Sequence, residues 1–69
     1  MKDINYDLLK MLYAKADTIW WLEKHCIKDA ELAKCHSLPV LQKILDQERE
    51  NIEALKKEIK LRMDAGVFD

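Results

Sequence analysis

The segment Ser37-Leu38-Pro39 is the one strong interruption in this chain of 69 residues, and it falls near the middle. Glycine and proline each occur once, as Gly66 and Pro39. A sheet protein with several hairpins needs far more turn-forming residues than that. Two long helical patterns joined by a single break make an antiparallel helical hairpin. Ser37 is placed to cap the second helix, with Pro39 in its first turn, where a missing N–H costs nothing. Leu38 precedes a proline and is therefore biased away from helical geometry. The expected boundaries are a first helix over about 3–35, a turn at 36–38 and a second helix over about 38–64. Together they form one all-α domain covering 1–69.

Hydrophobic periodicity supports this reading. On a wheel of 100° per residue, one face of the first helix collects Leu8, Leu9, Leu12, Ala16, Ile19, Trp20, Cys26, Ile27 and Ala30. The stripe stays in phase throughout, which favours a single rod. The alternative is a break at Asp29, which would cap a short separate helix from Ala30 to His36. Asp3 or Asn5 is placed to cap the start of the first helix. The second stripe is Leu41, Ile44, Leu45, Ile52, Leu55, Ile59 and Met63, close to a heptad repeat. Gly66 then ends the helix through its tolerance of a left-handed backbone, and Phe68 is available to staple the tail onto the first helix.

Two helices enclose little core. Below roughly 70–80 residues a single core seldom contributes more than ~3–5 kcal/mol, and oligomerisation is one natural remedy. The expected assembly is a homodimer forming a four-helix bundle with the stripes inside. Intrachain disulfide support is excluded, because Cys26 and Cys35 on one helix would lie about 13 Å apart along the axis.

Two acids interrupt the stripes. Glu23 falls among Ile19, Trp20, Cys26 and Ile27, and Glu48 falls between Leu45 and Ile52. In a hairpin turning near residue 37, Glu48 faces Cys26 and Glu23 faces Asn51. A carboxylate in an apolar layer must be paired, protonated or bound to a metal. The favoured reading is a polar core layer that fixes register, with Lys34 and Arg62 available as partners from another chain. The alternative is a metal-binding or metal-dependent catalytic bundle, but neither acid begins the Glu-x-x-His pattern of di-metal bundles. The pairs His25-Cys26 and Cys35-His36 lack zinc-motif spacing. No catalytic residue, cofactor site or metal site is assigned, and the chain is read as a non-enzyme.

A second apolar set lies beside the main stripe: Ile4, Met11, Leu22 and Leu32, with Trp21 near them. A contiguous patch containing tryptophan marks an interface, so Met11, Trp21, Leu22 and Leu32 are the expected partner-binding residues. The partners are a second copy of the chain and another protein, for which the chain serves as an adaptor, regulator or chaperone-like subunit. The alternative is a nucleic-acid-binding dimer using the basic stripe Arg49, Lys56, Lys57 and Lys60. Glu50, Glu53 and Asp46 are interleaved with that stripe. The chain carries twelve basic and thirteen acidic residues, a net charge of −1, so no global field calls for a polyanion or a membrane surface. The first residues lack the apolar run of a secretory signal, and the expected location is cytoplasmic.

Overall fold

The computed structural model describes all 69 residues and has the expected architecture, an all-α hairpin. The first rod runs without interruption from Asp3 to Ala33. It comprises helix α1 (Asp3–Trp21), a π-helical turn (Leu22–Cys26) and helix α2 (Ile27–Ala33). The second rod is helix α3 (Ser37–Asp64). Asp29 therefore breaks nothing. The molecule measures 49 × 16 × 13 Å, one rod long and two helices wide. No helix is long and apolar enough to cross a membrane.

The reversal lies at residues 34–36, slightly earlier than 36–38. Lys34 adopts a left-handed backbone, with φ 51° and ψ 44°. The Lys34 N–H donates to Glu31 O and the Cys35 N–H to Ala30 O, so the last carbonyls of α2 are satisfied in a Schellman arrangement. Helix α3 begins at Ser37, with His36 in the cap position and no side-chain capping bond. Leu38 is helical despite the proline after it. Pro39 sits in the first turn, where no earlier helical turn stands in the way of its ring. The other end of α3 closes in the same manner. Gly66, at φ 73°, donates to Met63 O, and the Val67 N–H donates to Arg62 O.

The packing seams follow a 3,4 spacing on both rods. On the first rod the seam is Asn5, Leu8, Leu12, Lys15, Ile19, Leu22, Cys26 and Ala30; on α3 it is Leu38, Leu41, Leu45, Glu48, Ile52, Leu55, Ile59 and Arg62. Every one of these residues is buried or half-buried. This is the coiled-coil pattern of a shallow antiparallel crossing. The first seam is turned to one side of the apolar stripe that the wheel picks out. Leu9, Ala16 and Trp20 belong to that stripe but are exposed, while Lys15 and Leu22 take seam positions. On α3, Ile44 and Met63 are likewise exposed. The rotation has a physical reason. It sets Lys15 against Glu48 and Asn5 against Arg62, so each polar residue of a seam meets a polar residue of the other.

The core is correspondingly thin. Only Leu22, Ala30, Leu45 and Ile59 are buried apolar residues. A compact monomer of 8.2 kDa exposes about 4,500 Å². This chain exposes 5342 Å², so an isolated hairpin leaves a surplus of about 800 Å² uncovered.

Candidate interaction surface

The end of the hairpin where residues 2 and 69 meet is closed by Asn5, which is fully buried. Its Nδ2 donates to Val67 O at 2.9 Å and to Asp69 O at 3.3 Å. Its Oδ1 accepts from Arg62 Nε at 2.7 Å. The Lys2 N–H also donates to Asp69 O, and the two side chains form a surface ion pair. Asn5 is therefore a clasp and not a helix cap. The cap position is Lys2, without a side-chain bond. Arg62 finds its partner within the same chain, so it is not held ready for a second one. Phe68 is half-buried in the tail that this clasp holds down.

The two acids of the stripes have different fates. Glu48 is half-buried and accepts from Lys15 Nζ at 3.1 and 3.3 Å, with Asn51 Nδ2 at 3.5 Å. It forms a polar layer between the rods, in contact with α1 instead of Cys26. Glu23 is exposed and lies at the margin, 3.4 Å from Arg49. The turn at 34–36 and the rotated seam move both acids away from their expected opposites. No buried side-chain nitrogen or oxygen lacks a hydrogen-bond partner. Nor do three or more His, Cys, Asp or Glu residues gather where they would hold a metal ion.

Of the four expected partner-binding residues, Leu22 is misplaced. It is 3% exposed, the most buried apolar side chain in the molecule, and it packs in the seam. The rotation of the seam puts it there, three residues after Ile19 in the regular 3,4 spacing of α1. Leu32 is 84% exposed but stands two residues past Ala30, on the back of α2 away from α3. Met11 and Trp21 are exposed and share one flank.

That flank extends across both rods. In an antiparallel pair of right-handed helices, residues just after a seam position on one helix emerge on the same side as residues just after a seam position on the other. The Glu23–Arg49 ion pair marks that side. It carries Tyr6, Leu9, Tyr13, Ala16 and Trp20 from α1, but Asp46, Arg49, Glu53, Lys56 and Lys60 from α3. The opposite side collects the residues just before each seam position. From α1 these are Ile4, Asp7, Met11, Ala14, Thr18 and Trp21; from α3 they are Val40, Ile44, Gln47, Asn51, Ala54, Glu58 and Leu61. Among these residues only Asp7 and Glu58 are charged, with Lys10 at the edge of the same flank. Sequence reasoning found the α1 half of this surface and missed Val40, Ile44, Ala54 and Leu61. With Gln47, Asn51 and Glu58 between them they keep a 4,3 spacing, but it runs parallel to the stronger stripe one residue along.

A shallow depression of about 380 Å³ opens on this flank of α1, lined by Asp7, Lys10, Met11 and Ala14. The basic stripe has a different character. Arg49 pairs with Glu23 and Asp46, Lys56 with Glu53, and Lys60 with Asp64. Three of its four charges are therefore compensated by neighbours in the same chain, and Lys57 makes no ion pair. At the turn, the exposed thiol of Cys35 is held below its ordinary pKa by hydrogen bonds from the Ser37 backbone N–H and then the Ser37 side chain.

No protein-family model, no curated protein and no solved structure matches this chain.

Proposed function

We propose that this chain is a small non-enzymatic protein–protein interaction module that works as a helical-bundle homodimer. One observation carries the reading. An apolar flank spans both rods, and nothing in the hairpin covers it. Exposed large apolar residues are ordinary when scattered, but a contiguous set across two elements marks a contact surface. The surplus of about 800 Å² equals what one partner contributes to an interface of standard size.

The nucleic-acid alternative has less support, because Arg49, Lys56 and Lys60 are already engaged with acids. The test of the favoured reading is size-exclusion chromatography with multi-angle light scattering over a dilution series. The expected mass is twice the 8.2 kDa of one chain, falling towards it only on strong dilution. A fully helical species of single-chain mass at every concentration refutes the dimeric module.

A further inference from the structure

The self-association proposed above leaves open which surface meets which. We infer that Trp21 of one copy docks in the depression lined by Asp7, Lys10, Met11 and Ala14 on a second copy, and the reverse, across a two-fold axis that crosses α1 at the level of Ala16. The inference rests on the dimeric reading and assigns its geometry.

The occupant follows from three observations. First, the depression and Trp21 lie on the same flank of the same helix. Met11, in the lining of the depression, and Trp21 are ten residues apart, about 15 Å along the axis. Two features on one helix satisfy each other reciprocally only when the second helix runs antiparallel and the axis passes midway between them. Such a contact is isologous and closes at two copies. Midway is Ala16, near the centre of the rod Asp3–Ala33, so the two copies overlap along most of their length.

Second, the chemistry of the depression suits an indole. Met11 and Ala14 provide the apolar part of the lining. A methionine sulfur contacts aromatic rings favourably, and Ala14 leaves room for the ring. The Asp7 carboxylate in the lining is an acceptor for an indole N–H, while the Lys10 ammonium lies over the Tyr6 ring of its own chain at 5.8 Å. Trp21 itself is 56% exposed in the single chain, an aromatic side chain of the type that anchors interface centres.

Third, the remainder of the flank is compatible with close approach. With the axis at Ala16, the small residues Ala14 and Thr18 of the two copies lie opposite each other. The corresponding level of α3 is that of Asn51, with Gln47 and Ala54 on either side of it and the apolar residues Ile44 and Leu61 further out.

The experiment compares dimer dissociation by light scattering for the unaltered chain, Trp21→Ala, Ala14→Leu and Trp20→Ala, with helicity followed by circular dichroism. Trp21→Ala removes the anchor, and Ala14→Leu fills its receptacle. Each is expected to raise the dissociation constant about 30-fold or more. Trp20→Ala lies on the other flank and is expected to change it less than threefold. A dimer that survives Trp21→Ala and Ala14→Leu overturns this geometry while leaving the dimeric module standing. A single-chain mass for the unaltered protein overturns both.

A second measurement serves where a variant loses helicity. With Trp20→Phe, Trp21 is the only tryptophan, and its emission is expected to shift to longer wavelength on dilution as the dimer separates. Emission independent of concentration, in a sample whose mass halves on dilution, overturns the docking of Trp21.

Discussion

Replacing Lys34 by glycine is expected to stabilise the hairpin, and the structure supplies both the sign and the size. Lys34 holds φ 51° and ψ 44° because the end of α2 needs a left-handed residue for its two closing hydrogen bonds. For an L-residue with a β-carbon that conformation costs roughly 1–2 kcal/mol. Glycine removes the cost but gives the unfolded chain more freedom, which returns about 0.4–1 kcal/mol of it. Lys34 makes no ion pair, so no other contact is lost. The net expectation for Lys34→Gly is a gain of about 1 kcal/mol, or roughly 4–8 °C in Tm for a domain of this size. The converse change sits in the same chain. Gly66 has φ 73°, and an added β-carbon there meets nothing within 4 Å. Gly66→Ala therefore carries the backbone cost without a steric one and is expected to lose about 1 kcal/mol. The assay is urea unfolding followed by circular dichroism at one fixed protein concentration, since association shifts apparent stability. An unchanged or lowered midpoint for Lys34→Gly, together with a neutral Gly66→Ala, refutes the argument that the left-handed residue limits stability at these ends.

Other expectations concern the polar groups. Asn5→Ala leaves Arg62 Nε and the carbonyls of Val67 and Asp69 without their partner, and is expected to cost about 2–3 kcal/mol in the same unfolding assay. Lys15→Met or Glu48→Leu alone strands the other charge in a layer that is 25% and 16% exposed at these two side chains, and each single change is destabilising. The double change Lys15→Met/Glu48→Leu is expected to recover most of that loss; a double variant as weak as the sum of the singles refutes the pairing argument. Cys35 is expected to react with iodoacetamide faster than Cys26 at neutral pH, because its thiolate is favoured and exposed. The reaction–pH curve of Cys35 should lie below that of an ordinary thiol and move upward in Ser37→Ala.

The hairpin itself was legible because its signals are redundant. Two amphipathic periods, a single Ser-Leu-Pro break and one late glycine all agree. The seam was legible only in part. A fixed 100° wheel selects the most apolar stripe, whereas the structure selects the stripe whose polar members match, Lys15 with Glu48 and Asn5 with Arg62. That pairing joins residues 33 and 57 positions apart and leaves no trace in either local pattern. The same limit explains Asn5, which looks like a helix cap until the tail folds back over it. It also explains Leu22, which looks like a surface residue until the seam is seen to be rotated off the most apolar stripe. On the candidate surface, Met11 and Trp21 were visible as apolar residues off the main stripe. The α3 half becomes visible only when the turn fixes which flanks coincide.

The π turn at Leu22–Cys26 settles an arithmetic mismatch between the rods. Both seams have eight positions, yet Asn5 to Ala30 is an advance of 25 residues and Leu38 to Arg62 one of 24. One chain is a letter longer than the contacts it must make, and the widened turn is the intercalary day that keeps the two calendars aligned. It also explains the edge-on contact between Trp20 and His25, five residues apart with ring centroids at 5.4 Å, since five is the step of a π turn. A version of this chain shortened by one residue among Glu23, Lys24 and His25 is expected to match the 24-residue advance of α3 and to lose the wide turn together with the Trp20–His25 contact.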